Sequence, residues 1–218
     1  MELTIFEDES IHSYFIRILL CKGHINGNGV FNGLVSPSGS LAILPNLKGR
    51  LTSCFNYISD DSFRILLAEH TVFNDLRYFD LEELKNYMLL GEEPTDYGDG
   101  LHKIYGGKTQ LRYCPDCFKN QIQNHGICWF RLDWLCSLSC KIHNSSLYHV
   151  HKRLTRCCNR TSNITQNMLS AMSGKCTYCG ENVWSEPEKI LIGDFNRSQY
   201  ILFPEKAEVS PHRPSGNV

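Results

Sequence analysis

Residues 113–143 read YCPDCFKNQIQNHGICWFRLDWLCSLSCKIH. Cys114-x2-Cys117 is followed, after a gap of 22 residues, by Cys140-x2-His143. Three thiolates and one imidazole in two close pairs are the donors of a closed tetrahedral zinc site. A spacing of two lets each pair form a tight turn with both donors aimed at one ion, and the pair–gap–pair layout is a structural zinc pattern. Competing donors lie between the pairs at His125, Cys128 and Cys136. Cys136 stands four residues before Cys140, so on a helix the two would share a face. The knuckle spacing favours Cys140 with His143, which leaves Cys128 and Cys136 as small buried apolar side chains.

A second set follows at Cys157, Cys158, Cys176 and Cys179. Cys176-Thr-Tyr-Cys179-Gly repeats the knuckle, whereas adjacent residues rarely turn both thiolates to one ion. Two ligand sets therefore stand for a second zinc: all four cysteines, or one of the adjacent pair completed by His149 or His151. A catalytic zinc keeps an open position and a general base close by. Here the first set is complete with four donors, and neither an HExxH nor an HxE pattern occurs. The acids between its ligands, Asp116 and Asp133, read as a solvated turn residue and a surface or outer contact. With no Ser/His/Asp order and no Gly-rich phosphate loop, the inventory points away from catalysis.

At 218 residues, 42% of them hydrophobic and 11% aromatic, the chain can build a sizeable core. The opening MELTIFEDES has neither the basic flank nor the apolar run of a signal peptide. No stretch approaches the ~20 apolar residues that span a bilayer. The expectation is a cytosolic, non-membrane protein whose 11 cysteines are reduced and mostly metal-bound. The net charge of −1 conceals a division. Residues 1–111 hold 9 Lys/Arg against 15 Asp/Glu, and residues 112–160 hold 8 against 2. Halves of opposite sign suggest different partners, or attraction for each other.

Helical periodicity marks residues 8–22, with Asp8 as the expected N-cap and Gly23 as the C-terminal cap. It resumes near 29–35, 47–58, 61–69, 71–78 and 80–90, with Asp60, Asp61, Thr71 and Asp80 as caps. The expected fold is mainly α with small zinc-ribbon or zinc-finger modules. A helix-turn-helix-like domain (1–90) leads through a linker (91–111) to a first zinc module (112–150) and a second (151–203), then a disordered tail (204–218). Between Lys141 and Arg160 stand Lys141, Lys152, Arg153, Arg156 and Arg160, with no acid among them and Tyr148, His149 and His151 interleaved. Such a stretch can grip a phosphate backbone, dock an acidic protein, or form a solvated rim. Base-specific readout would need the rest of an assembly.

Several of these patterns, taken in order, resemble one family. Asp8-Glu9-Ser10 with Ser13 and Arg17, then RYCPDC at 112–117, FRLDWL at 130–135, CKIH at 140–143 and a second cysteine set are similar to TniQ transposition proteins, related to the amino-terminal part of TnsD. The likeness covers roughly residues 5–180, and the departure is Cys157-Cys158 where CxxC or CxC is usual. The chain lacks the long C-terminal region of larger members, like the compact TniQ proteins of CRISPR-associated transposons or a truncated longer form. The resemblance implies a non-catalytic adaptor that links a target selector, often an RNA-guided CRISPR effector, to the AAA+ ATPase TnsC. It implies nucleic-acid contact that is not autonomous, and a second copy of the chain as a further candidate partner. Sequence-specific DNA binding of the TnsD kind is the competing expectation, and a zinc hydrolase the weakest.

Overall fold

The computed structural model describes residues 3–24, 34–36, 38–47, 58–72, 80–92, 108–150, 153–154, 157–158 and 160–184. The described chain is mostly helical with little sheet. The helices expected near 29–35, 47–58 and 71–78 fall largely outside these residues. So do most of the 91–111 linker, the end of the second module and the 204–218 tail. Among the described residues, no helix is long and apolar enough to cross a membrane.

Helix α1 spans Ile11–Cys21, and every residue from Ile11 to Leu19 is buried. It is the central rod of the helical half, where a sequence pattern of one apolar face suggests a surface helix. Its cap differs from the expected one. The Ser10 hydroxyl, not Asp8, accepts the Ser13 amide at 3.2 Å. Asp8 is engaged elsewhere: its carboxylate accepts the Trp129 indole N–H at 2.6 Å and pairs with Arg131. At the other end Gly23 closes the helix as expected, its N–H donating to Leu20 at 3.0 Å.

The polar side of α1 is buried because it is fully paired. Arg17 grips Glu9 with Nε on Oε1 at 2.7 Å and a terminal nitrogen on Oε2 at 2.5 Å. That second nitrogen also donates to the Thr4 carbonyl at 2.8 Å, and the Ser13 hydroxyl donates to Glu9 Oε1 at 2.8 Å. The guanidinium lies 4.9 Å from the centre of the Phe6 ring. A buried ion pair is tolerable only when its remaining donors and acceptors are met in this way.

Helix α2 (Asp60–His70) is capped by Ser59 and carries Asp60 and Asp61 in its first turn, against the positive helix end. These acids were expected as caps; they sit one and two residues too late. His70 at the far end sets Nδ1 2.8 Å from the Glu9 carbonyl, tying α2 to the start of α1. Helix α3 (Leu81–Lys85) begins at Asp80 as expected, with both the Glu82 and Glu83 amides on one carboxylate oxygen. It continues as a π-helical turn over Asn86–Leu90.

Among the described residues the strands form three antiparallel pairs: β1 (Ser40–Ala42) with β2 (Lys108–Gln110), β3 (Arg112–Tyr113) with β4 (Tyr148–His149), and β5 (Arg153–Leu154) with β6 (Thr161–Ser162). The end of the expected linker thus forms β2 and returns onto the helical half. One continuous apolar core runs from Ile11, Phe15 and Phe63 through Phe118, Phe130 and Trp134 to Met168 and Ala171.

Two outcomes test this packing. Arg17→Met leaves Glu9 buried and unpaired, and urea denaturation should show a loss of roughly 3–5 kcal/mol. Adding Glu9→Gln should recover part of that loss, and a double mutant as weak as the two singles summed would mean the groups act independently. His12 is buried with Nε2 2.7 Å from the Ala42 carbonyl and Nδ1 unpartnered. Burial pushes its pKa down from 6.5 to about 4, against the bond to Ala42. The unfolded chain therefore binds a proton between these values that the folded chain refuses. Stability should hold above pH 6.5 and fall by up to roughly 3 kcal/mol as pH drops towards 4. Thermal melts of wild type and His12→Gln across that window should show a shallower slope in the variant.

Candidate metal centres

The first cluster is assembled from two elements. Cys114 leaves β3 as the N-terminal residue of helix α4 (Pro115–His125), with Pro115 preset for the first helical turn. Cys117 sits in that turn. The other two donors come from a hairpin that β4 closes. There the Cys140 amide donates to the Ser145 carbonyl at 2.7 Å, and the Asn144 amide to the Cys140 carbonyl at 2.8 Å.

These turns bring Cys114, Cys117, Cys140 and His143 together, all ligand atoms within 4.8 Å of one another. His143 Nδ1 lies 3.4, 3.3 and 3.6 Å from the sulfurs of Cys114, Cys117 and Cys140, and the last two sulfurs are 3.5 Å apart. A tetrahedral zinc with bonds of about 2.3 Å to sulfur and 2.0 Å to nitrogen needs edges of roughly 3.8 and 3.5 Å. The donor set fits such an ion. Without a cation the thiols share protons: a hydrogen bond from Cys117 holds the Cys114 pKa at about 4, and the same bond pushes that of Cys117 up. A positive ion removes this conflict by letting every thiol deprotonate.

The supports around the cluster were not read from the sequence. Ser145 Oγ lies 3.8 Å from the Cys114 sulfur, and the Asn120 amide lies 3.4 Å from His143 Nε2, the nitrogen left over when Nδ1 faces the metal. Beneath them, buried Arg112 donates to the carbonyls of Trp134 and Ser137 at 3.2 and 3.1 Å. It fixes the short 3-10 turn Leu132–Leu135 and the chain that enters the hairpin.

The second cluster copies the hairpin. Cys157, Cys158, Cys176 and Cys179 also lie with their sulfurs within 4.8 Å of one another, with Cys158 and Cys176 at 3.9 Å. The Cys176 amide donates to the Glu181 carbonyl at 2.8 Å and the Gly180 amide to the Cys176 carbonyl at 2.9 Å, residue for residue the pattern at Cys140. In both turns the residue after the second donor is left-handed, Asn144 at φ 49° and Gly180 at φ 75°. Only such a residue turns the chain back so sharply, and Asn and Gly are the types that tolerate it. Of the two ligand sets the sequence leaves open, the geometry assembles the four-cysteine one. His149 is drawn away into β4, where Arg112 Nε lies 3.5 Å from its ring, and His151 lies outside the described residues.

The two clusters differ in exposure. Cys114, Cys117 and Cys140 are buried, while Cys157 and Cys179 are exposed. Helix α5 (Ile164–Ser173) joins them, with a capping box between Asn163 and Gln166. Trp184 caps its far end, donating from Nε1 to the Ala171 carbonyl at 2.8 Å, with its ring 6.5 Å from that of Phe118.

The competing donors are accounted for. His125 packs edge-on against Phe6 and Trp129, and Cys128 is buried, pushed up to about 12 by burial, with its thiol on the Met172 carbonyl. Cys136 is exposed, which corrects its reading as a buried apolar residue. Of the cationic stretch, Lys141 is exposed on the first hairpin, and Arg160 lies 5.5 Å from the centre of the Tyr178 ring. Arg153 lies in β5 opposite Ser162, and Lys152 and Arg156 lie outside the described residues.

Asp8, Glu9, Ser10, Ser13 and Arg17 take no part in either cluster. They bind the strip that follows α4. The Ser10 amide and hydroxyl both donate to the Phe130 carbonyl, at 3.0 and 3.1 Å, and the Phe130 amide donates to the Ser13 hydroxyl at 2.9 Å. The Leu132 amide reaches the Asp8 carbonyl at 2.8 Å, and Phe6 stacks on Trp129 with centroids 3.8 Å apart. The motif is a latch between the two halves.

No curated protein and no solved structure matches the chain. The sequence model of the TniQ family matches residues 1–147, about two thirds of the 218. The match takes in the latch and all four donors of the first cluster, and ends before the second. The chain belongs to the TniQ family of transposition proteins.

Proposed function

We propose that this chain is a non-catalytic targeting adaptor in DNA transposition, holding two structural zinc ions. Through it, a target selector such as an RNA-guided CRISPR effector would be joined to the AAA+ regulator TnsC. The family match over residues 1–147 carries the reading, because it spans the helical half and the first metal cluster as one unit. The local chemistry supports it. Three thiolates and an imidazole, or four thiolates, at tetrahedral spacing suit zinc over harder cations. Zinc held by four protein donors cannot offer a position to water, so its contribution is to hold the two hairpins in shape.

The competing reading, a TnsD-like protein that selects its own DNA site, draws less support. α1 is buried from Ile11 to Leu19 and cannot enter a groove. The exposed face of α2 sets Asp60, Asp61 and Glu69 around Arg64, a balance that repels phosphate. Nucleic-acid contact within an assembly is proposed for the cationic residues beyond the first hairpin, Lys152, Arg153, Arg156 and Arg160.

The expected metal content is two zinc ions per chain. Cys114→Ala should lower it to one and abolish amide protection across α4 and 138–147, since binding energy here is folding energy. Cys176→Ser should remove the other ion and leave residues 3–147 protected. Fewer than one zinc per wild-type chain would sink the architecture. For the adaptor role, the full chain should retain both the cognate ATPase and the target-selecting complex in a pull-down, and failure to retain either would reject it. Arg153→Glu with Arg156→Glu should weaken nucleic-acid or selector binding at 150 mM salt without loss of zinc.

A further inference from the structure

The first metal hairpin exposes two large aliphatic side chains, Leu138 at 51% and Ile142 at 55%. Single exposed aliphatics are ordinary, but these two flank one metal ligand, with Lys141 exposed between them. Four residues of chain reach at most about 14 Å, so the three side chains belong to one small surface. Cys136, also exposed, adjoins it, close enough to Lys141 and Arg112 for their charges to act on its thiol. Among the described residues Lys141 has no carboxylate partner, whereas Lys119 on α4 is paired with Asp116 at 2.9 Å.

The backbone that carries this surface is held from several sides. The Leu147 amide donates to the Leu138 carbonyl at 2.9 Å, the Cys140 turn closes on Ser145, and Arg112 pins Trp134 and Ser137. A loop with that many restraints loses little freedom on binding, so its exposed apolar groups act as anchors and not as a floppy rim.

From this we infer that the hairpin tip, Leu138, Lys141 and Ile142, is a protein-docking surface. Its partner presents an apolar cleft edged by carboxylates. The inference rests on the adaptor reading and names which face of the metal half meets protein. Charge decides the sign of the partner: residues 112–160 hold 8 Lys/Arg against 2 Asp/Glu, and Lys141, with no carboxylate partner among the described residues, is the exposed cation at the tip. The aliphatic pair decides its class. Nucleic acid offers bases to stack on aromatic rings and phosphates to pair with cations. Two branched aliphatic side chains on a rigid hairpin bury more apolar surface in a protein cleft than against a phosphate backbone.

The test compares wild-type chain with Leu138→Ser/Ile142→Ser and with Lys141→Glu, each first shown to keep the wild-type zinc content and melting temperature. Binding is measured by calorimetry against the cognate ATPase and, separately, the target-selecting complex. The double variant should lose at least tenfold in affinity for one of the two, and Lys141→Glu should lose affinity for that same partner with a reduced dependence on salt. Wild-type binding that both variants retain overturns the docking surface and leaves the adaptor reading intact. Loss confined to nucleic-acid binding also overturns it. Absence of wild-type binding to either partner overturns the adaptor reading itself, and this inference with it.

Discussion

The fold turns on a carboxylate that is fully buried. Glu9 is at 0% exposure and Arg17 at 6%, and burying either one without the other would be costly. Their pairing makes it possible for α1 to be buried along its polar side, and that in turn puts Ser10 and Ser13 against a strip of chain 117 or more residues away. Ser10 and Ser13 then use up the amide and carbonyl of Phe130, while Asp8 takes the Trp129 indole and Arg131. A polar motif that would suit a solvent-facing turn becomes the joint between the helical half and the metal half. Removing any single member leaves another buried group unsatisfied, so the network acts as a unit.

From that joint the restraint continues towards the metal. The Phe118 ring stands 5.3 Å from Phe130 and 5.6 Å from Trp134, and Phe118 follows the ligand Cys117 directly. The latch, the aromatic cluster and the first donor set are thus one packed assembly. The second cluster hangs from it through α5, with Trp184 and the Cys128–Met172 contact as its links, and two of its cysteines are exposed. Two copies of one hairpin therefore play unequal parts. The buried one is continuous with the core, and the exposed one caps an appended module.

What could be read from the sequence divides along the range of the interactions. The four donors of the first cluster and the Cys176–Cys179 pair were legible because knuckle spacing is a local rule, set by how one turn aims two side chains, whereas adjacent Cys157 and Cys158 left two ligand sets open until the fold brought all four sulfurs together. The start of α3 at Asp80 and the end of α1 at Gly23 were legible for the same reason. Asp8 as a cap was not correct, since the competing partners, Trp129 and Arg131, are distant in sequence and no periodicity points to them. Ser59 escaped notice because Asp60 and Asp61 beside it are equally good caps on propensity alone. The exposure of Cys136 depended on how Arg112 folds the 134–137 segment. A left-handed Asn144 matched by Gly180 was open to reading: both residues follow the second donor directly, and that position in a knuckle must reverse the chain.

This construction suits the adaptor proposed above, which would hold two other bodies at a fixed separation. Four protein donors at each cluster would leave a bound zinc no open position. An adaptor needs a joint that does not yield when its two faces are pulled apart. A joint made of surface ion pairs would be screened by salt and weak in any case. The joint here is made of backbone hydrogen bonds and stacked aromatic rings backed by the buried Glu9–Arg17 pair, which salt does not reach, together with the partly exposed Asp8–Arg131 pair. Among the described ion pairs only Asp8–Arg131 crosses between the halves, so in the adaptor proposed above most of their opposite charge would be left for partners.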